Sequence, residues 1–342
     1  NTGTTEVLNS ANSGKLTIGG NFTNNGVTNM TNNGTGFDVT GQVTNNNGKL
    51  TMLNNRGEFN VKTGANITAN NNLDMTNAEG TGAFTIDGTV NGKNLTNIIN
   101  NSENGLIVNG AIDGTGITTV KNTKGDLKVN NRGTITNRRG KLSLLNTNQN
   151  GGLYVYRGAK VHNEDNDTHI SNNGAKGLNI EGEVENGRGL DIINEGSDAV
   201  RISGNVHSVG NINITNTGDK GVRIASTGRV NGDNNININN TVTKTETSRT
   251  EGAVNVEGIV NANGNLTVNS TNGNLSLGHN QTANNLTAGK NIDLTVVDGS
   301  ILNNGVEKTL INAGGNLTMD VTNGTIGEPV RQTGLTNSTG IG

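Results

Sequence analysis

A periodic asparagine is the feature of this sequence that most restricts its fold. It closes a short segment of the form apolar-x-apolar-x-Asn, as in Leu50, Met52 and Asn54, and it returns every 22 to 26 residues. A disordered chain has no reason to keep such a register, so the recurrence indicates a repeat protein. The ten positions are Asn32, Asn54, Asn77, Asn100, Asn122, Asn146, Asn172, Asn194, Asn216 and Asn240.

A second segment precedes each of these and reads apolar-x-apolar-x-Gly-x-apolar, as in Phe37, Val39, Gly41 and Val43. Alternation with a period of two predicts strands. One repeat is too short to bury its own apolar face, whereas stacked repeats pair each strand with its copy in the next repeat. The sequence therefore predicts an all-β fold, a right-handed parallel β-helix (β-solenoid) of about 21–22 residues per coil and fifteen or so coils.

Composition limits the core and excludes several classes of protein. Hydrophobic residues are 29% of the chain and aromatic residues 2%, so the core has to be thin and built from small aliphatic groups. A net charge of −3 argues against a nucleic-acid partner. The absence of cysteine fits an extracellular protein that does not use disulfides. No apolar run is long enough to span a membrane, and no motif indicates a cofactor.

The repeat also predicts the organisation of the chain. Residues 1–285 carry the regular repeats, with longer loops near 161–169 and 241–251. Residues 286–327 continue the β-helix with a changed repeat, and 328–342, which hold the single proline, form an irregular tail or linker. Because the chain begins at Asn1 without Met or a signal peptide, we expect it to be a piece of a longer protein.

The repeating asparagine and glycine have structural explanations. An asparagine at a corner can donate and accept hydrogen bonds along the stack, and it tolerates a left-handed backbone. We therefore expect the ten periodic asparagines to form a ladder. The glycine of the first segment permits a tight bend where a side chain does not fit.

Charge is the most informative local feature. Residues 121–160 contain nine basic residues and one acidic residue, a balance of +8, whereas 164–198 contain nine acidic and two basic residues, a balance of −7. Two tyrosines within the basic belt (121–160) alternate with inward residues and are expected to point outward. Charge and ring stacking suit a sulfated or sialylated glycan, although a lateral contact between filaments or a plain solvated face fits equally. The candidate contacts are Arg132, Arg138, Arg139, Tyr154, Tyr156 and Arg157.

Other candidate sites carry weaker signals. The loop Asn163–Asp167 is rich in oxygen atoms but lacks the spacing of a calcium loop, and His162 and His169 could meet across it. The alternating Glu181, Glu183 and Glu185 raise the alternative of a polysaccharide-active enzyme. Asn-x-Thr sequons are frequent, as chance predicts in such a chain. We expect no metal, no cofactor and no catalytic site.

Two repeats carry a resemblance to a known family. The segments Ala-Gly-Lys-Asn-Ile-Asp-Leu at 288–294 and Ala-Gly-Gly-Asn-Leu-Thr-Met at 313–319, with Gly-Thr-Ile-Gly at 324–327, resemble the filamentous haemagglutinin class. The asparagine- and glycine-rich style is similar to leukotoxin-type filamentous adhesins of Gram-negative anaerobes. The resemblance implies two-partner secretion through an outer-membrane partner and a β-helical shaft at the bacterial cell surface. It also implies a role in virulence through attachment to host cells or other bacteria.

We therefore expect a structural shaft segment of a secreted, extracellular adhesin, and not an enzyme. Its expected partners are host-cell or bacterial surface receptors or glycans, together with other copies of itself in filaments. Direct binding through the basic belt and polysaccharide processing remain the alternatives.

Overall fold

The computed structural model describes residues 2–327 except 79, 81, 243–252, 279–283 and 304–309. The described residues form three parallel sheets and no helix, arranged as about 13 stacked coils of a β-solenoid. The predicted fold class is confirmed. The number of coils is smaller than the fifteen expected because several coils are long: 26 residues separate Asn146 from Asn172, and 30 separate Asn240 from Ser270.

The chain divides into two compact units, Asn1–Asp191 and Ile192–Gly342. In the first unit every coil contributes one strand to each of three sheets, here named A, B and C. Sheet A contains β1 (Thr5–Asn9), β4 (Thr28–Asn32), β7 (Leu50–Asn54), β10 (Leu73–Asn77), β13 (Leu95–Asn100), β16 (Ile117–Asn122), β19 (Leu142–Asn146) and β22 (Thr168–Asn172). Sheet B contains β2 (Lys15–Ile18), β5 (Gly36–Val39), β8 (Glu58–Val61), β11 (Phe84–Ile86), β14 (Leu106–Val108), β17 (Leu127–Val129), β20 (Leu153–Val155) and β23 (Leu178–Ile180). Sheet C contains β3 (Asn21–Asn24), β6 (Gln42–Asn45), β9 (Asn66–Ala69), β12 (Thr89–Gly92), β15 (Ala111–Gly114), β18 (Thr134–Asn137), β21 (Lys160–Asn163) and β24 (Glu183–Asn186).

The second unit repeats this arrangement, and β25 (Leu190–Asn194) contains the division between the units. Its sheet A contains β28 (Ile212–Asn216), β31 (Ile236–Thr241), β34 (Leu266–Thr271), β37 (Ile292–Val297) and β40 (Leu317–Thr322). Its sheet B contains β26 (Val200–Ile202), β29 (Val222–Ile224), β32 (Val254–Val256), β35 (Leu275–Leu277) and β38 (Ile301–Asn303). Its sheet C contains β27 (Asn205–Ser208), β30 (Arg229–Gly232), β33 (Ile259–Ala262), β36 (Asn284–Ala288) and β39 (Leu310–Ala313).

Each coil has three strands where the sequence pattern indicated two segments. The segment apolar-x-apolar-x-Gly-x-apolar bends at its glycine, so its first two apolar residues belong to sheet B and its last one to sheet C. At Gly182 the bend is tight, because an added Cβ would lie 2.5 Å from the carbonyl oxygens of Ala159 and Tyr156. Period-two alternation continues through such a bend, which is why the sequence pattern alone does not reveal it.

The inward side chains of the first unit form a continuous thin core. Phe37, Phe59 and Phe84 stack in successive coils of sheet B with ring centroids 4.8 and 4.5 Å apart and planes nearly parallel. All three are fully buried. Burying a side chain of this size contributes about 1.5–3 kcal/mol, so even a core with few aromatic residues supports each coil.

The boundaries of the longer coils differ from the expectation. The turn at 164–167, expected to be a long loop, has the same length as the turn at 138–141 in the preceding coil. The extra residues of that coil lie instead at 147–152, between sheets A and B. Most of the loop predicted at 241–251 and the tail predicted at 328–342 lie outside the described residues. In the described part of the chain, no helix is long and apolar enough to cross a membrane.

We expect removal of one whole coil to leave the fold intact. After deletion of residues 101–122, Asn100 directly precedes Thr123, as Asn122 does in the intact chain. Asn100 and Asn122 occupy the same register position of sheet A. Repeat proteins tolerate such deletions because each coil contacts mainly its neighbours. Far-ultraviolet circular dichroism and a cooperative thermal transition test this expectation.

The matched control is deletion of residues 101–111, half of the same coil. This deletion brings sheet A and sheet B segments out of register and exposes inward residues, so we expect aggregation or loss of the transition. Equal behaviour of the two deletions contradicts the stacked-coil account.

Candidate functional site

The predicted ladder asparagines of the first unit are the last inward residues of their sheet A strands. All seven, from Asn32 to Asn172, are buried with no accessible surface. The first six of them, from Asn32 to Asn146, donate from Nδ2 to Oδ1 of the asparagine one coil later, and Asn9 begins the series with a bond to Asn32. The donor–acceptor distances lie between 2.7 and 3.0 Å.

The second amide hydrogen of these asparagines serves the turn that leaves the strand. Asn100 donates to the carbonyl of Ser102 at 2.8 Å, and Asn122 donates to that of Gly125 at 3.1 Å. The side chain thus uses two donors and one acceptor where the chain turns away from sheet A. Asparagine suits this place because aspartate lacks the donors and leucine lacks both functions. None of the ten asparagines uses the left-handed backbone that this residue type tolerates.

In the second unit the ladder runs from Asn194 through Asn216 to Asn240, with both Nδ2–Oδ1 distances at 2.9 Å. Asn240 then faces Ser270, whose Oγ lies 3.4 Å away. The next strands place Val296 and Val321 in the same register. The amide ladder therefore ends at Asn240, one coil before the change of repeat near residue 286, and aliphatic residues follow Ser270 at this corner.

A second polar corner was not predicted from the sequence. In the first unit several sheet C strands end in buried asparagines, and several sheet A strands have a buried threonine as their first or second residue. The hydroxyl of Thr118 donates to Oδ1 of Asn137 at 2.9 Å, and that of Thr168 donates to Asn186 at 2.6 Å. The signal is irregular in the sequence because Ala69, Gly92 and Gly114 occupy the same position in other coils.

We expect Asn122→Ala to lower the free energy of unfolding by about 1–3 kcal/mol, because it leaves buried amide and carbonyl groups without partners. Asn94→Ala is the matched control: Asn94 is exposed and donates to Asn71 at 3.0 Å on the surface. We expect the control to change stability by less than about 0.5 kcal/mol. Urea unfolding followed by circular dichroism measures both, and equal losses contradict a special role for the buried ladder.

The basic belt does not form one surface. Its residues lie on all three sheets and their turns: Lys121 in sheet A, Lys128 in sheet B and Lys160 in sheet C. The six candidate ligand contacts are accordingly divided. Arg138 and Arg139 follow β18 in the turn from sheet C to sheet A, whereas Arg132, Tyr154, Tyr156 and Arg157 belong to sheet B and its turns to sheet C.

Part of the basic belt is paired with acidic residues of neighbouring coils. Arg138 lies 3.7 Å from the carboxylate of Glu164 in the next coil. Lys160 Nζ lies 2.6 Å from Oε2 of Glu185 and 3.5 Å from Oε2 of Glu183. Residues about one repeat apart in sequence are neighbours in the stack, so the basic and acidic stretches of the chain meet each other.

Asp126 connects three coils of sheet B. Its carboxylate lies 3.2 Å from Nζ of Lys128 and 3.1 Å from Nζ of Lys176, and it accepts a hydrogen bond from the Gly152 amide at 3.1 Å. Burial by itself raises the pKa of Asp126, but the hydrogen bonds from Lys176 and Lys128 outweigh burial and leave the pKa below its usual value. In sheet C, the hydrogen bond from Lys160 likewise lowers the pKa of Glu185.

The two tyrosines form one parallel pair on the outside of sheet B. Their ring centroids are 5.5 Å apart with planes 6° from parallel, and both side chains are partly exposed. Tyr154 lies in register between Lys128 and Asn179 of the neighbouring coils. Its ring covers the backbone at Gly152, where an added Cβ would lie 2.7 Å from the ring. The outward orientation expected of these tyrosines agrees with the structure.

Arg132 has a backbone conformation that residues other than glycine rarely adopt, with φ of 71°. Arg132 is the third residue of the four-residue turn 130–133. A hydrogen bond from the Gly133 amide to the Asn130 carbonyl, 2.8 Å long, closes this turn. In two equivalent turns, 62–65 and 156–159, the third residues are Gly64 and Gly158, also at positive φ. The equivalent turn 225–228 has Thr227 in third place without a positive φ. A non-glycine residue pays about 1–2 kcal/mol for this conformation, so the arginine is retained at some cost to stability.

The other predicted sites are rearranged by the three-strand coil. Glu181 lies in the turn before Gly182, not on the strand that carries Glu183 and Glu185, so the three carboxylates do not share a face. His162 lies in sheet C, with Nδ1 3.2 Å from Oε2 of Glu185, whereas His169 lies in sheet A. A contact between the two histidines across the turn stays a prediction.

The oxygen-rich loop at 163–167 is engaged with the protein itself. Asn163 points inward and donates to the carbonyls of Asn166 and Asp167 at 2.9 and 3.0 Å. Asp167 Oδ1 accepts a hydrogen bond from the Gly189 amide. Among the described residues, no group of three or more His, Cys, Asp or Glu side chains is placed to hold a metal ion.

Comparison with known proteins gives no relative: no protein-family model, no curated protein and no solved structure matches the chain. Arguments about its function therefore rest on the fold and on the residues described above.

We expect Asp126→Asn to make stability less dependent on pH. Because the pKa of Asp126 is lower in the folded state, its ion pairs stabilise the fold above the unfolded pKa of about 3.9, and this contribution is lost as the pH falls through the folded pKa. At pH 7 the variant should lose at most about 1 kcal/mol, since the partner lysines are largely exposed and solvent screens them.

Asparagine keeps the acceptor for the Gly152 amide, so the substitution removes the charge alone. The control is Glu103→Gln, which removes the same charge from an exposed turn residue. Urea unfolding at pH 7 and pH 2.5 should give a difference between wild type and Asp126→Asn that is smaller at the lower pH. A difference of equal size at the two pH values is incompatible with this assignment.

Proposed function

We propose that this chain is a shaft segment of a secreted bacterial surface adhesin, and that it holds a binding region away from the cell. The observation that carries the proposal is the continuous pairing of coil on coil, with the buried Asn100–Asn122–Asn146 ladder at one corner. Parallel stacking lengthens the molecule by about 4.8 Å per coil. It does so with a thin core and without disulfides, as an extended extracellular spacer requires.

The charge arrangement supports the same proposal. Arg138 with Glu164, and Lys160 with Glu183 and Glu185, join neighbouring coils and favour one register of stacking. Glu183 and Glu185 are thereby occupied with a lysine on an outward sheet face. This use of the carboxylates favours a structural role over the polysaccharide-active alternative, and we propose no catalytic function.

The family proposal rests on sequence motifs. We assign the chain to the filamentous haemagglutinin class on the repeats at 288–294 and 313–319, whose cores fall on β37 and β40. Export through an outer-membrane partner, a place on the bacterial surface and a role in attachment and virulence follow from that assignment. Self-association into filaments belongs to the same proposal.

The test is to display the chain on bacteria with a peptide epitope at its outer end. We expect the epitope to reach an antibody above a polymer layer of graded thickness, and the reach to fall when residues 101–122 are deleted. One coil is a small change, so a second variant that also lacks 78–100 enlarges it. Flow cytometry measures how much antibody is captured at each layer thickness, and this gives the distance that the epitope reaches.

The control is the same epitope on an unfolded glycine- and serine-rich linker of equal residue number. This linker has no fixed length, so antibody capture should fall off gradually with layer thickness and not end at one thickness. Attachment of the displaying bacteria to cultured cells is recorded in parallel, together with release of reducing ends from a polysaccharide panel. If the distance that the epitope reaches does not depend on the number of coils, the shaft proposal is wrong. If the chain cleaves a polysaccharide catalytically, the enzyme alternative takes the place of the shaft proposal.

A further inference from the structure

The geometry points to a docking surface for a second copy of this chain on the outer face of sheet A in the first unit. Two copies pair face to face with their coils stacked in opposite directions, and a column of aliphatic side chains on each copy fits between those of the other. The inference deepens the self-association that belongs to the proposed function, and it rests on that part of the proposal.

The surface is formed by the outward residue that directly precedes each ladder asparagine, here called the aliphatic column. Strand pairing stacks these residues on one another, and they are aliphatic in every second coil. The aliphatic members are Leu8, Leu53, Ile99 and Leu145, and the polar members between them are Thr31, Thr76, Lys121 and Ser171. Leu8 is 62% exposed and the other members are partly exposed. Since each coil adds about 4.8 Å, the aliphatic residues repeat about every 9.6 Å.

The fold itself does not require aliphatic residues at this position. In the second unit, from β28 onward, every residue of the same column is polar: Thr215, Asn239, Asn269, Thr295 and Asp320. Among the described strands of sheets B and C in the first unit, the outward faces carry one aliphatic residue larger than alanine, Ile107. Contact with a partner gives a physical reason for the aliphatic series, because contiguous apolar patches on a surface mark interaction sites.

The period of the column selects a second copy as the partner. Another copy has the same spacing of about 9.6 Å, because the same backbone pairing sets it. An α-helix laid along the column presents the same face about every 10.5 Å. It therefore loses about 1 Å of register at each repeat and about 3 Å over the whole column.

One symmetric arrangement places every aliphatic residue of the column opposite a polar one. A twofold axis that runs along the strands, between β10 and β13, reverses the direction of stacking and keeps each column opposite itself. The opposed pairs are Leu8 with Ser171, Leu53 with Lys121, Ile99 with Thr76, and Leu145 with Thr31. Larger side chains thus enter the gaps above smaller ones, and the apolar stem of Lys121 packs along a leucine.

The neighbouring outward column of sheet A is polar and is complementary under the same axis. Glu6 comes opposite His169, and Asp74 comes opposite Asn97, so each carboxylate faces a side chain that can donate a hydrogen bond. The remaining pairs join uncharged residues: Asn29 with Ser143, and Thr51 with Thr119. No two like charges face each other in this column.

The size of the face predicts a reversible pair. Eight strands of about five residues span about 38 Å by 16 Å, or roughly 600 Å² per copy, near the lower end for specific interfaces. Because the two stacks run in opposite directions, the pairing joins shafts that project from two facing surfaces. It therefore connects one bacterium with another more readily than neighbouring chains on one cell.

The first test is sedimentation velocity of the full chain from about 1 μM to about 1 mM, where we expect a concentration-dependent dimer. Replacing three aliphatic members by threonine, which the column itself contains, should weaken dimerisation at least about tenfold and keep the circular dichroism spectrum. This variant is Leu53→Thr with Ile99→Thr and Leu145→Thr. The matched control makes the same kind of change on outward residues of sheets B and C and should stay within about twofold: Ile107→Thr with Ile259→Thr and Leu302→Thr.

The second test distinguishes interdigitation from general apolar attraction. Thr76→Leu adds apolar surface to the column, but it fills the gap that receives Ile99 of the second copy. We therefore expect it to weaken dimerisation about tenfold. If Thr76→Leu strengthens dimerisation, the proposed fit of the two columns is wrong.

The third test reads the direction of pairing, and the absence of cysteine from the chain makes it simple. A mixture of Glu6→Cys and His169→Cys chains should be joined by a bismaleimide linker of about 10 Å. Glu6→Cys alone should not be joined, because the two copies of this position lie about 34 Å apart along the stack. Efficient joining of Glu6→Cys alone contradicts the antiparallel arrangement.

A chain that stays monomeric over the whole concentration range overturns the inference, and so does a control variant that weakens dimerisation as much as the column variant. Neither result affects the spacer role, which the reach experiment measures on single displayed chains. Conversely, a dimer with the expected responses leaves the inference standing even if reach does not depend on the number of coils.

Discussion

Hydrogen bonding between one coil and the next is the interaction on which the rest of this structure depends. Each strand satisfies its backbone through the coils before and after it, in strict parallel register. Where the chain leaves sheet A, the buried amides of Asn100, Asn122 and Asn146 continue the same pattern with side-chain atoms. A buried polar corner without such partners would cost about 1–3 kcal/mol per group, so the amide ladder makes the thin coil possible.

The same register decides how charge is used. A stretch of basic residues and the acidic stretch after it are separated by about one repeat, and one repeat is a single step in the stack. Arg138 therefore meets Glu164, and Lys160 meets Glu185. Two of the nine basic residues of the belt, Arg138 and Lys160, meet carboxylates of the acidic stretch in this way. Part of what looks in the sequence like two opposed belts is therefore a set of contacts between coils.

Sequence reasoning was strongest where a signal repeats and weakest where it is interrupted. The sheet A asparagines recur in nearly every coil, and their positions could be read directly. The asparagine and threonine corner at Asn137 and Thr118 was missed because small residues replace asparagine in several coils. The bend at Gly182 was missed too, and with it the separation of Glu181 from Glu183, because alternation continues through a bend without a change of period.

The sequence by itself determined the solenoid class, the alternation of inward and outward residues, and the places where amides recur, because these depend on periodicity along the chain. The tertiary structure alone decided that each coil has three strands, which charges are paired, and that Tyr154 and Tyr156 share a corner with Arg132 and not with Arg138. These outcomes depend on where the chain bends and on which residues the next coil brings alongside. Both are settled by contacts across a full repeat, which local pattern does not encode.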